Sequence, residues 1–155
     1  MRTLLATVAA TAVATTLGSA GLALAQTDEP TTAAIAIVAH QTVDKNLDLG
    51  HKGFSVGDQE MSSGKITKAG KAFGDTDGVC VATYVNAKAH ELCTQTFDLP
   101  DGSIAAVGTV VSSPRGPAPF DWAITGGTGP YAGATGFVHV IPGNRAVHMT
   151  INVTY

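Results

Sequence analysis

The sequence predicts an all-β protein, an eight-stranded antiparallel β-barrel. Past residue 30, short apolar or alternating runs recur between clusters of Gly, Asp, Asn and Pro, a pattern typical of a sandwich or barrel. Eight runs suit a closed barrel, because closure removes the exposed strand edges that would otherwise template aggregation. A glycine-dense corner over 126–136 joins two of the runs, and glycine permits the positive φ angles of a tight corner.

The first part of the chain has the features of an export signal. Arg2 precedes a run of small and apolar residues that ends at Ala25, within an Ala-Leu-Ala sequence. A single positive charge, an apolar stretch and an A-x-A site are typical of a cleaved secretory signal peptide. We therefore expect a signal peptide over 1–25, a disordered segment over 26–32 and one barrel domain over 33–155, secreted with no membrane anchor after cleavage.

Composition excludes several classes of partner. Without residues 1–25, eight Lys and Arg remain against twelve Asp and Glu, a net charge of −4. The basic residues are scattered, so a nucleic-acid partner is not expected. The five histidines lack H-x-H or H-x-x-x-H spacing, which disfavours a metal site. No lysine follows the glycine-dense corner and a strand follows it, so a phosphate-binding loop is not expected, and we predict no cofactor.

Strand boundaries follow from the alternation and the turn residues. The predicted strands are 33–41, 56–67, 79–86, 89–98, 103–112, 120–126, 135–141 and 146–155. The last alternates most clearly and puts on one face Val147, Met149, Ile151, Val153 and Tyr155.

Five aspartates can be assigned from their neighbours. Asp75, Asp77, Asp98 and Asp101 are expected in turns, where side-chain to backbone hydrogen bonds explain them. Asp121 lies inside an apolar run and is expected to face solvent, since an unpaired inward charge would be costly; a shielded acid is the alternative.

The two cysteines fall on one predicted hairpin. A two-residue turn at Asn86-Ala87 places Cys80 directly opposite Cys93 in a non-hydrogen-bonded pair, with Cα atoms about 4.5 Å apart. In an exported protein a disulfide between them is the expected state, and a free thiol with a chemical role is the alternative.

Several motifs resemble a known family, and they occur in the family's order. They are Gly57-Asp58, Gly74 to Val81, Leu99 to Ile104 and Ala123 to Gly136. Together they resemble the allene oxide cyclase barrel and its dirigent relatives, over roughly Gly57 to Val140. The resemblance implies an eight-stranded barrel with an internal ligand cavity, commonly assembled as a homotrimer. Plant members cyclise an unstable fatty-acid epoxide, dirigent proteins steer phenolic coupling or cyclisation, and bacterial relatives include natural-product cyclases.

The family's cavity residues are only partly matched. Cys80 is a family cavity residue unchanged, whereas the cavity asparagine falls on Gly64 and the cavity tyrosine on Val110. The first-strand glutamate has no counterpart, because 33–43 contains no carboxylate. Plant-type allene oxide cyclase activity is therefore not expected.

Four residues are the candidates for lining a ligand cavity. Cys80 follows from the resemblance, Tyr84 shares its hairpin face, Val110 takes the family tyrosine's position, and Trp122 is chosen for its size. The sequence leaves open whether this face or the more apolar face of the hairpin, which carries Leu92, points inward.

Two functions are consistent with these observations. The first is a secreted barrel that binds a small apolar or phenolic molecule and steers its cyclisation or coupling by orientation and exclusion of water. The alternative is a non-catalytic carrier, cell-surface or protein-interaction barrel. The packing of the barrel interior separates an interaction module from a catalyst or a carrier. A catalyst or carrier needs an open interior, whereas an interaction module can fill its barrel to ordinary packing density.

Overall fold

The computed structural model describes residues 29–144 and 146–155, so the expected signal peptide and residues 26–28 lie outside the described residues. The strands within it are β1 (Thr32–Leu47), β2 (Gln59–Lys68), β3 (Lys71–Val85), β4 (Ala89–Leu99), β5 (Gly102–Ser113), β6 (Gly116–Pro117), β7 (Phe120–Gly127), β8 (Thr135–Ile141) and β9 (Val147–Thr154).

The strands form one closed antiparallel barrel. The order around the sheet is β4-β3-β2-β1-β9-β8-β7-β5, and an additional β4–β5 pairing closes it. The two-residue strand β6 pairs with the end of β5 and takes no part in closure. The predicted eight-stranded antiparallel barrel is confirmed.

Strand β3 begins eight residues before its predicted start. A tight turn at Ala69 and Gly70, with φ of 50° and 75°, joins it to β2 as a two-residue hairpin. The inner positions of the added segment hold Gly74, Thr76 and Gly78, so no hydrophobic alternation marks it in the sequence. Glycine is needed there, because a Cβ at Gly74 would clash with the β4 backbone.

The longer strands correct three of the aspartate assignments. Asp75 and Asp77 lie within β3 and Asp98 lies within β4, all in strands rather than turns. Asp75 faces outward and forms an ion pair with Lys65 of β2, at 2.6 Å. Asp101 does lie in a turn, between β4 and β5.

The described barrel begins at the N-terminal end of β1. Thr31 pairs with Tyr155 through two backbone hydrogen bonds of 2.7 and 2.9 Å, and Thr32 begins β1. The end of the segment expected to be disordered is therefore attached to β9. No helix in the described part of the chain has the length and hydropathy needed to cross a membrane.

One end of the barrel is solid. Side chains with no more than 1 % of their surface exposed fill it, namely Phe97, Ile104, Val138, Ile151 and Val153. The predicted alternation of β9 accounts for part of this core, since Met149, Ile151 and Val153 all point inward. Removing the Phe97 ring would cost about 3–5 kcal/mol at so enclosed a position.

The glycine-dense corner seals this solid end. Tyr131 is buried under it, packs edge-on against Tyr155 with ring centroids 4.9 Å apart, and donates its hydroxyl to Asp101 at 3.1 Å. Thr128 and Ser103 are joined by hydrogen bonds of 2.8 and 3.0 Å that tie the corner to β5. The corner is therefore an architectural element at the end opposite the cavity described next.

Candidate ligand cavity

The other end of the barrel holds a partly enclosed cavity of about 350 Å³. This volume is within the range of small-molecule sites. Its lining divides along the sheet order, because strands β1 to β4 supply most of the polar groups and strands β5, β7, β8 and β9 supply most of the apolar ones. The barrel is thus filled at one end and open inside at the other.

The apolar wall is aromatic at its centre. It is formed by Val110, Phe120, Trp122, Val140, Val147 and Met149. The rings of Phe120 and Trp122 are tilted against each other with centroids 5.2 Å apart. Trp122 is only 7 % exposed, and its indole Nε1–H is buried with no hydrogen-bond partner among the described residues. A buried donor of this kind is costly unless an acceptor reaches it.

Gly108 of β5 makes room for the Trp122 indole. A Cβ at this position would overlap Cδ1 of Trp122. The glycine is therefore a packing requirement of the apolar wall.

The polar wall includes the side chains of Gln41, Glu60, Ser62, Thr76, Glu91 and Gln95. Two of these side chains take part in an ordered hydrogen-bond chain. Gln95 donates its side-chain amide to Thr76 Oγ1 at 2.7 Å, and Thr76 donates in turn to the backbone oxygen of Thr96 at 2.8 Å. Gly78 gives the Gln95 amide its space, because a Cβ there would collide with it. The Gln95 side chain is therefore held in one orientation at the cavity.

Two half-buried glutamates stand at the mouth of the cavity. Burial raises the pKa of Glu60, and the negative charges of Asp44 and Glu91 raise it further. Burial also raises the pKa of Glu91. Both side chains also line an adjoining groove of about 470 Å³ beside the β1–β2 loop. The pair therefore stands where the cavity meets this groove.

The β1–β2 loop beside the groove is organised by a single carboxylate. Asp58 accepts hydrogen bonds from the backbone N–H groups of Leu49, Ser55 and Gly50, at 2.8, 2.7 and 3.2 Å. These bonds favour the ionised form and hold the pKa of Asp58 below its ordinary value, led by the bond from Leu49. The Gly57-Asp58 motif thus fixes the loop that borders the mouth.

The predicted disulfide is present between Cys80 and Cys93, whose Cα atoms are 4.0 Å apart. The register reaches this pairing by a different route from the predicted two-residue turn. Val85 pairs with Ala89, so the turn has three residues, and a bulge at Thr83 restores the register before the cysteines. Cys93 is buried and Cys80 lies on the cavity lining, so the cysteine face of the hairpin points inward.

The structure brings together three of the four sequence candidates. Cys80, Val110 and Trp122 all lie on the cavity lining. Tyr84 does not, since the bulge at Thr83 reverses its face and leaves it 49 % exposed, against the ring of His90. As expected, Asp121 faces solvent; it pairs with His139 of β8 at 2.7 Å.

Sequence reasoning missed both glutamates and Gln95. A signal for them was present in the strand periodicity. Counting back in twos from the buried Ile66 reaches Glu60, and counting back in twos from Phe97 reaches Gln95 and then Glu91. These polar residues occupy inward positions of their strands, and inward polar positions indicate the open end of the barrel.

Comparison with known families now identifies the fold. A family model for the allene oxide cyclase barrel like domain matches residues 36–153. The chain belongs to this family. No curated protein matches the sequence.

Several solved structures are similar to this one. A pyocyanin demethylase is 28 % identical, with a TM-score of 0.68 over 77 % of this chain and 99 % of that one. The Diels–Alderase AbmU from Streptomyces koyangensis is 19 % identical, with a TM-score of 0.64 over 80 % of this chain and 63 % of that longer one. A pterocarpan synthase dirigent protein is 16 % identical, with a TM-score of 0.62 over 84 % and 88 % of the two chains. The last two similarities concern the fold alone.

Proposed function

We propose that this protein is a secreted barrel that binds a small, mostly apolar or phenolic molecule and steers its cyclisation or coupling. The observation that carries the proposal is the 350 Å³ cavity, with its apolar wall facing a polar one, at one end of an otherwise solid barrel. An interaction module has no need of such a space, because its interior can be packed throughout.

Confinement is the chemistry that this cavity supports best. The apolar wall would exclude water and hold a ring system in contact with Phe120 and Trp122. The polar wall would fix the ligand's orientation through Gln95, which is itself held by Thr76. Orientation of reacting groups at this level supplies large rate effects without a nucleophile.

The relatives support a small-molecule ligand. The 28 % identical structure is named as a demethylase of pyocyanin, and structures that share the fold include a Diels–Alderase and a pterocarpan synthase. Each name describes an activity on a small molecule. Secretion is supported by the signal-like residues 1–25 and by the Cys80–Cys93 disulfide.

A carrier or interaction role remains the second candidate, favoured by the outer surface. Tyr84, Leu92 and Val111 are exposed on the adjacent strands β3, β4 and β5. Apolar residues so placed suit a protein contact, including the homotrimer that we propose as the assembly.

The proposal is tested by native mass spectrometry of the mature protein purified from its own culture medium, with and without a reductant. A small-molecule adduct is expected, with an N-terminus at Gln26 and a disulfide mass shift. The adduct is then extracted, identified and incubated with fresh protein. Conversion to a cyclised or coupled product supports steering, recovery of unchanged compound supports a carrier, and protein without any adduct favours an interaction barrel.

A further inference from the structure

The charged side chains of the described cavity lining are all negative, and they lie at its mouth. Glu60 and Glu91 both face it. In residues 29–144 and 146–155, no lysine, arginine or histidine lines the same cavity. Asp44 of β1, which is also negative, acts on Glu60. The described lining therefore presents acceptors and negative charge at one side.

The strand register places the two carboxylates on either side of the disulfide. Glu60 of β2 pairs with Cys80 of β3, which is bonded to Cys93 of β4. Glu91 stands two residues before Cys93 on the same inward face of β4. The crosslink joins β3 to β4, and β2 is hydrogen-bonded to β3 beside it. The backbone positions of the two glutamates are therefore held at fixed places around the disulfide.

The ring of Trp122 lines the same cavity from its apolar wall. Its Nε1–H donor is buried and has no hydrogen-bond partner among the described residues. Glu91 pairs with Val110 of β5, and Gly108, two residues earlier on β5, lies against Trp122. The strand pairing therefore connects Glu91 to the Trp122 ring through the neighbouring strand β5.

We propose, on the basis of the function proposed above, that the cavity selects a flat aromatic cation. The positive end lies at Glu60 and Glu91, and the ring contacts Phe120 and Trp122. A cation offsets the mutual repulsion of two partly desolvated carboxylates, and an aromatic face adds a favourable cation–π contact. An anionic ligand would meet uncompensated repulsion at the mouth.

The inference is tested with three probes that share a methoxy-substituted two-ring body: 6-methoxy-1-methylquinolinium, neutral 6-methoxyquinoline and 6-methoxynaphthalene-2-sulfonate. Each is titrated at pH 7.5 into ¹⁵N-labelled mature protein. The chain has a single tryptophan, so its one indole N–H resonance reports on Trp122 without ambiguity. Dissociation constants follow from the shift of this resonance.

The cation is expected to bind about tenfold more tightly than the neutral probe, with the anion weakest. Glu60→Gln and Glu91→Gln are each expected to remove most of this preference without weakening the neutral probe. Asp98→Asn, which removes one exposed charge from the same strand as Glu91, is the matched control and should change nothing.

Equal affinity for all three probes, or a cation preference that survives both glutamine variants, overturns the inference while leaving a ligand-binding barrel intact. Failure of every probe to move the indole resonance contradicts both the inference and the proposed binding function.

Discussion

Loss of the Cys80–Cys93 disulfide should lower the stability of the barrel by an amount that the structure specifies. The bond closes a loop with a sequence separation of 13 residues. In the chain-entropy model a crosslink over a loop of this length removes about 3 kcal/mol of conformational freedom from the unfolded chain at 25 °C. With an m-value of about 2 kcal/mol/M, this corresponds to a fall of roughly 1.5 M in the urea midpoint.

The assay is urea unfolding followed by far-UV circular dichroism and by the fluorescence of Trp122, for oxidised protein, reduced protein and the Cys80→Ala/Cys93→Ala variant. Reduction keeps both sulfur atoms in place and isolates the crosslink. The double variant should lose slightly more, because Cys93 is buried and alanine is smaller. Reductant should have no effect on the double variant, which makes it the control.

A loss below about 1 kcal/mol on reduction would refute this reasoning. It would mean that the β3–β4 hairpin already holds these residues together in the unfolded chain, so that the bond constrains little. Unequal transitions by the two probes would show that the unfolding is not two-state, and the free energies could not then be compared.

Three further perturbations test other parts of the structure. Burial, with the Asp101 carboxylate beside it, raises the pKa of Tyr131 to about 12, so its contribution to stability is complete below pH 10 and lost as pH rises to 12. Tyr131→Phe should abolish that part of the alkaline loss, which is roughly 2 kcal/mol in the free energy of unfolding. Urea unfolding at several pH values between 10 and 12 measures it. Asp58→Asn replaces one of the two carboxylate oxygens by an NH2 donor, removes the charge, and should speed hydrogen exchange of the loop amides that bond to this side chain. Gly108→Ala should displace the Trp122 indole, shift its fluorescence and cost about 1–3 kcal/mol of stability.

Two of these changes have a matched control variant. Asp98→Asn removes an exposed charge and should leave loop exchange at its original rate, and Thr109→Ala alters an exposed side chain next to Gly108 without entering the barrel. The Tyr131–Asp101 contact is contradicted if the alkaline stability profile is the same with and without the Tyr131 hydroxyl. Unchanged exchange in Asp58→Asn would contradict the hydrogen bonds from the loop amides. A native Trp122 spectrum in Gly108→Ala would contradict the packing of the indole on Gly108.

The barrel could be predicted because most of its strands alternate clearly. The inward residues of β9 follow from a period of two. The two-residue turn predicted from the sequence also gives the correct pairing of Cys80 with Cys93, because the extra turn residue and the bulge at Thr83 offset each other. The first half of β3 could not be found in this way. Its inward positions need glycine for close approach to β4, as at Gly74 and Gly78, and glycine carries no hydrophobic signal.

The candidate site was harder to predict because small departures from regularity move side chains between faces. A one-residue bulge at Thr83 sends Tyr84 outward, and a turn longer by one residue hides that bulge from any argument based on the cysteines. Glu60 and Glu91 were overlooked for the opposite reason. A carboxylate on an inward face looks unfavourable until the open end of the barrel, which partly solvates it, is known.

The central claim is that a small molecule occupies the open end of the barrel, and filling that space tests it most directly. Val110 lines the cavity and is 8 % exposed, whereas its neighbour Val111 faces outward and is 41 % exposed. Wild-type protein, Val110→Phe and Val111→Phe are therefore purified from the same medium and compared by native mass spectrometry. The account predicts an adduct on the wild type and Val111→Phe that is absent from Val110→Phe. An adduct that persists on Val110→Phe at full occupancy would place the ligand elsewhere and contradict the account.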